Sequence, residues 1–253
     1  MARQTTLANR VQRVDGKSRA TRKLRERVSR ITRRLERVYG RPTLDGRLPL
    51  DNKSDPVDEL VFIILSIQTS ERGFNTAFAE LKRRYPSWDK LLTARIRGIQ
   101  TVLRPFGLSN QKAHNLRALL QSVKQARGDL TLNFIAGLPV REGEAYLTAL
   151  PGVGIKTARC VLMYCFGAPV FPVDTHVLRV SKRLGLVPKD LRRKAAHSVL
   201  EGLVPPSSRY SLHVNMVKLG RDYCTVASPR CLDCPLRRTC PSYPDGGGIG
   251  TTP

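Results

Sequence analysis

Lys156 and Asp174 are the residues whose types and settings could carry covalent chemistry. Lys156 lies two residues past Gly154 in Leu150-Pro151-Gly152-Val153-Gly154-Ile155-Lys156-Thr157-Ala158. This is a Gly-x-Gly turn between a helical segment ending near Ala149 and another starting near Ile155, a helix-hairpin-helix. In the first turn of a helix the dipole disfavours an ammonium, and burial would disfavour it further, so both effects favour a neutral, nucleophilic amine. Asp174 follows 18 residues later in Val173-Asp174-Thr175-His176. There it opens another helix, whose first N–H groups hold a carboxylate ionised. An amine able to form a Schiff base and a carboxylate able to stabilise a cationic sugar together suit cleavage of a glycosidic bond. Each residue also has an ordinary reading, Lys156 as a phosphate-contacting lysine and Asp174 as a plain N-cap. The turn does too: its glycines could let backbone N–H groups turn toward a nucleic-acid phosphate, or could simply make a tight helix corner.

The second constellation is Cys224-x6-Cys231-x2-Cys234-x5-Cys240, four thiols within 17 residues. Four-cysteine zinc sites usually pair two Cys-x2-Cys knuckles, whereas here one x2 spacing sits between two longer ones, which fits a [4Fe–4S] cluster better. Arg221, Arg230, Arg237 and Arg238 surround these ligands, so the loop could also present positive charge to phosphates. Cys160 and Cys165 fall in an apolar segment and read as core thiols.

The chain of 253 residues carries a net charge of +24, beyond the ~2 to 8 that solubility asks of a small domain. Residues 1–45 hold 14 basic and 4 acidic side chains, and the remaining 208 residues keep a net +14. So large a surplus calls for an anionic partner, nucleic acid ahead of an acidic membrane surface or an acidic protein. The longest apolar run, Cys160 to Phe166, has seven residues, far short of the ~18 to 20 that would span a bilayer. No apolar stretch near Met1 resembles a secretory signal, and a reducing compartment is expected.

The elements that must position these groups read as helices throughout. Residues 1–17 are polar without period and read as a mobile basic arm, with an organelle transit peptide as the other reading. From Ser18 the stripe Leu24, Val28, Ile31, Leu35 and Val38 predicts one amphipathic helix ending at Gly40, and residues 40–54 read as a linker. Asp55-Pro56 caps an apolar, buried helix through Ile67. Further helices are predicted at 72–84, 94–104, 111–127, 140–149, 158–166, 173–184, 191–203 and 212–220, with no convincing hairpin or βαβ pattern, so the fold class is all-α.

The hairpin, the Val-Asp-Thr-His and the x6, x2, x5 cysteine spacing together resemble the endonuclease III family of helix-hairpin-helix DNA glycosylases, over about residues 20–242. The resemblance implies a six-helix barrel domain at 48–167 and an iron–sulfur cluster domain built from 1–47 and 168–253, with double-stranded DNA held between them. It also implies base excision repair of oxidised pyrimidines. Lys156 would be the nucleophile at C1′ of the flipped nucleotide, Asp174 the carboxylate assisting base loss, and Cys224, Cys231, Cys234 and Cys240 the ligands of a [4Fe–4S] cluster. Leu65-Ser66-Ile67-Gln68-Thr69-Ser70-Glu71 is similar to the segment in which a Gln fills the gap left by the extruded base, making Gln68 the plug with Ser66 and Glu71 lining the pocket. Leu108, in Phe106-Gly107-Leu108, would wedge between bases. Lys112, Gly152, Val153, Gly154, Thr175 and His176 complete the expected DNA-binding set.

Ile67, Glu71 and His114 depart from the family's pattern. The related adenine glycosylases usually lack the Lys and carry an extra C-terminal domain, whereas this sequence keeps Lys156 and runs 13 residues past Cys240. The expectation is a monomer acting on duplex DNA with a damaged base or abasic site, without a membrane partner, in the bacterial cytoplasm or, if the source is eukaryotic, an organelle or nucleus. Rival readings are another base specificity, mainly AP lyase activity, and a non-catalytic DNA-binding module.

Overall fold

The computed structural model describes residues 2–243, with side chains from residue 19 onward. The described residues form eleven α-helices and no strand: α1 (Ala2–Tyr39), α2 (Pro56–Ser66), α3 (Glu71–Arg84), α4 (Trp88–Thr93), α5 (Ile96–Leu103), α6 (Ser109–Arg127), α7 (Val140–Ala149), α8 (Ile155–Phe166), α9 (Thr175–Arg183), α10 (Arg193–Leu203) and α11 (Pro206–Asp222). No described helix is long and apolar enough to cross a membrane. The chain divides into two compact units, Thr43–Ala168 and Met1–Pro42 with Pro169–Pro253.

The Thr43–Ala168 unit is built around α2. Asp55 accepts the Val57 and Asp58 N–H groups at 2.9 and 2.8 Å, and Pro56 takes the first helical position, where its missing N–H costs nothing. From Val57 to Leu65 every residue except Asp58 is buried, because α3, α6 and α8 pack around this helix. Phe62 meets Phe74 and Phe78 edge-on, with ring centroids 5.0 and 5.7 Å apart. Asp58 turns its carboxylate to Trp88 Nε1 at 2.6 Å and Lys82 Nζ at 3.1 Å. The short α4 escapes the sequence reading because six residues are too few to reveal a period; Ser87 caps it by accepting the Lys90 N–H. The unit starts at Thr43, within the predicted linker, since Leu48 is buried and the Lys53 N–H donates to Glu59 at 2.7 Å.

In the other unit α11 packs on α9 and α1, and α10 packs on α1. Val28, Ile31 and Leu35 supply the buried stripe of α1, whereas Val38, the last member of the predicted stripe, is exposed. The helix also begins at Ala2 rather than near Ser18, so residues 2–17 are not the unstructured arm expected. Extending an existing helix needs only one more residue fixed per hydrogen bond, and this stretch contains no proline.

Candidate active site and cysteine loop

The hairpin joins α7 to α8. Gly152 has φ +75°, the left-handed conformation that only glycine adopts cheaply, and its Cα faces the Asn115 side chain of α6. Val153 closes the turn, donating its N–H to Leu150 O at 3.1 Å and burying its side chain. Val153 therefore holds the hairpin together by burying its side chain. Gly154, the N-cap of α8, has an ordinary φ of −93°, so conformational freedom is needed at Gly152 alone. A Cβ on Gly154 would meet no protein atom within 4 Å, which leaves the end of α8 open to a close approach. No side chain caps α8 and no acidic residue occupies its first turn, where half-buried Lys156 lies. The N–H groups at this end are thus available to an anion.

Two loops of the same unit carry the expected plug and wedge. Gln68 is exposed with φ +50°, and Leu108 is 40% exposed with φ +53°, heading α6. Thr69 Oγ1 donates to Phe106 O at 3.2 Å, and Lys112 Nζ donates to Thr69 Oγ1 and, at 3.4 Å, to Phe106 O. Lys112 is only 2% exposed, and burial lowers its pKa. The expectation that it contacts DNA is corrected: its ammonium is spent holding the two loops together. Ser66 Oγ likewise donates inward, to Ile63 O at 2.7 Å. Glu71 is exposed in the first turn of α3.

Within α2 one acidic side chain is buried, which the sequence concealed. Glu59 has no solvent exposure, Oε2 accepts the Lys53 N–H, and Oε1 has no hydrogen-bond partner. Burial pushes its carboxyl up to about 8 against the opposing pull of the Lys53 N–H and the Lys156 and Lys53 charges. The one available signal was an acid placed directly before a run that is apolar all round.

In the other unit Asp174 caps α9, its Oδ1 accepting the Val177 N–H at 2.7 Å. The strand-like segment leading to it is pinned by His213 Nδ1 against Pro172 O at 2.9 Å and by the Phe171 N–H donating to Glu201 at 3.3 Å. Thr175 is exposed. His176 is partly buried, which lowers its pKa, and Arg179 Nη2 approaches its Nδ1 at 3.1 Å, so that nitrogen acts as the acceptor.

The same helix organises the cysteine loop. Arg179 Nε donates to Cys224 O at 2.7 Å, and Arg183 Nη1 donates to Thr225 O at 2.6 Å and to Cys224 Sγ at 3.2 Å. Neither arginine stood out in the sequence. Burial raises the Cys234 and Cys240 thiols, and both sense the charge of Cys224 and Cys231. Opposing this, backbone N–H groups of Leu236, and of Ser242 and Tyr243, donate to the Cys234 and Cys240 sulfurs. Among the described residues no three His, Cys, Asp or Glu gather at the spacing of a single metal ion. Four thiols gathered in one loop, with N–H and guanidinium donors aimed at sulfur, are a donor set that fits an iron–sulfur cluster. Arg27, Arg30, Arg34, Arg237 and Arg238 line a groove of about 830 Å³ beside this loop.

Residues 61–206 match the model of the HhH-GPD superfamily base excision DNA repair protein. The chain is 33% identical to endonuclease III of Escherichia coli K12, over 75% of this chain and 85% of that protein. It is 32% identical to endonuclease III of Bacillus subtilis, over 74% and 81%. It is also 36% identical to a protein of Arabidopsis thaliana named as a candidate DNA glycosylase, spanning 71% of this chain and 64% of that protein's length. Among solved structures, a non-covalent endonuclease III–DNA complex superposes with a TM-score of 0.73 at 26% identity, covering 87% of this chain and 96% of that one. A trapped covalent endonuclease III–DNA intermediate matches with the same values.

Proposed function

The chain belongs to the HhH-GPD superfamily of base excision DNA repair proteins, within it to the endonuclease III family, and on that footing we propose that this DNA glycosylase is bifunctional. It removes an oxidised pyrimidine from duplex DNA and then cleaves the strand as an AP lyase, acting as a monomer. The observation that carries this reading is Lys156 in the first turn of α8, at a helix end with no side-chain cap.

The mechanism follows from the groups in hand. The open N-terminus of α8 holds the phosphate backbone without reading sequence. Flipping a nucleotide out of the stack costs a few kcal/mol, offset by Gln68 filling the vacated space and Leu108 entering between bases. The Lys156 amine attacks C1′, the base departs, and the Asp174 carboxylate stabilises the positive charge developing on the sugar. The resulting imine acidifies the neighbouring carbon, so elimination expels the 3′ phosphate. Cys224, Cys231, Cys234 and Cys240 would hold a [4Fe–4S] cluster, which when bound cross-links this loop and offers a one-electron redox centre.

Borohydride reduction on a duplex with one abasic site tests the reading. A covalent adduct in the wild type that disappears in Lys156→Gln is the expected result. Lesion-independent binding with no adduct would instead mark a non-catalytic DNA-binding module. Affinity should also fall steeply with salt, because phosphate contacts dominate it.

A further inference from the structure

One edge of α1 is cationic without a break. Counting by threes and fours from Arg19, the positions Lys23, Arg27, Arg30, Arg34 and Arg37 fall on one side of the helix, and each is basic. The acids of this stretch turn elsewhere, Glu26 to Arg22 and Glu36 to Ser211. The stripe covers about 27 Å at 1.5 Å per residue. Like charges three or four positions apart destabilise a helix, so a face made of them alone calls for an anionic partner. Arg27, Arg30 and Arg34 also form one wall of the groove of about 830 Å³, whose other wall is residues 232–239 of the cysteine loop. Of the four clustered cysteines only Cys234 lines it, so the groove is not the space of the cluster itself, and Asp233 is the one acid in its lining. Arg27 Nη2 donates to Thr239 O at 2.9 Å, Arg34 Nε to Pro235 O at 3.3 Å and Arg237 Nη1 to Leu232 O at 2.6 Å, which fixes the two walls. Arg30, Arg37 and Arg238 are exposed and make no hydrogen bond or ion pair among the described residues. We propose that this edge of α1 and the facing arginines of the cysteine loop form a track for the phosphate backbone of duplex DNA, additional to the open end of α8, which supplies sequence-independent affinity for undamaged DNA.

The lining selects this occupant over others. A protein partner needs an apolar centre that excludes water, since exposed ion pairs add little by themselves. The groove offers almost none: Ile31 and Leu236 on its floor are each 2% exposed, and Leu232 is the one exposed large apolar side chain in the lining. A single strand needs rings on which its bases stack, and no lining residue is aromatic. Duplex backbone needs neither, because its affinity comes from cation–phosphate contacts that release counterions. Guanidinium suits the task, its planar fork meeting a phosphate with two N–H groups. With the walls already tied by Arg27, Arg34 and Arg237, the free guanidiniums are presented at little cost in ordering.

This proposal rests on the DNA-binding part of the proposed function and not on Lys156 chemistry, so its test uses binding alone. Affinity for two undamaged duplexes of unrelated sequence is measured against salt concentration for the wild type and two triple variants. Arg30→Gln/Arg37→Gln/Arg238→Gln strips the track, and Arg33→Gln/Arg192→Gln/Arg193→Gln removes the same charge from exposed positions elsewhere on the unit. In the first variant the slope of log affinity against log salt should become shallower by about one per arginine, hence by about three, equally for both sequences, with a clearly smaller change in the second. Equal changes in the two variants would reveal diffuse charge in place of a track and overturn the proposal. An unmoved slope in the first variant overturns it as well. Duplex affinity kept while binding of a polyglutamate peptide is lost would assign the groove to an acidic protein, against the proposal. A check that needs no variant is protection of Arg30, Arg37 and Arg238 from a dicarbonyl reagent by the same duplexes, read by mass spectrometry; sites that react equally with and without DNA contradict the track. If the wild type forms no borohydride adduct on an abasic duplex, the Lys156 reading fails, while the track stands or falls by the salt slopes.

Discussion

Gln68 and Leu108 share a backbone state that neither residue type favours, with φ of +50° and +53° on two loops joined through Thr69 and the Phe106 carbonyl. Each such residue costs on the order of 1 kcal/mol or more, and the cost persists only where surrounding structure fixes it. Lys112, buried beneath and donating to both Thr69 and Phe106, is what fixes it. The side chains proposed to enter the duplex are therefore presented outward by an internal lysine.

Replacing Leu108 with glycine separates strain from function. Leu108→Gly should leave the melting temperature unchanged or slightly raised, because the left-handed φ is free for glycine. Excision from a base-paired duplex should fall by about 10-fold or more as the wedge is lost, with a smaller effect on an abasic site. Thermal melts and single-turnover excision on the two substrates check this.

Two glycines should respond to alanine in opposite ways. A Cβ on Gly154 meets nothing within 4 Å, whereas one on Gly220 would lie 2.8 Å from His176 Cβ, between α11 and α9. Gly154→Ala should keep its stability and bind duplex DNA more weakly. Gly220→Ala should lose about 1–3 kcal/mol of stability from overpacking. Denaturant melts alongside filter-binding affinities decide both.

Arg183 ties the first cysteine to the fold through Cys224 Sγ, Thr225 O and Val226 O. Arg183→Leu should reduce the iron bound per chain and the broad visible absorbance while far-ultraviolet circular dichroism stays native. The purified wild type should be brown, with about four irons per chain. Stoichiometric zinc in its place would overturn the cluster assignment.

Glu59 should also leave a mark on stability. Its carboxyl titrates near 4.5 in the unfolded chain but is raised to about 8 in the fold. Between those values the native state holds a proton that the unfolded state has released, so this group's contribution falls as pH rises through the window and levels off above it. The melting temperature of Glu59→Gln should decline less than that of wild type from about pH 5 to 8, a comparison calorimetry makes directly.

What the sequence determined by itself is local. The Asp55-Pro56 cap, the apolar run after it, the Gly-x-Gly turn before Lys156, the Asp174 cap and the cysteine spacing are set by neighbours in the chain, so type and spacing suffice to read them. The tertiary structure decided which charged groups turn inward. Lys112 was expected among the DNA-binding residues, and its contact with Thr69, 43 residues away, buries it instead. Arg183 gained its role from Cys224, 41 residues on. Glu59 stands in the first turn of α2, where an acid is ordinarily solvated, and only the packing of other helices around α2 sealed it from water. Burial and through-space charge depend on which helices meet, and no period or motif in a single chain encodes that meeting.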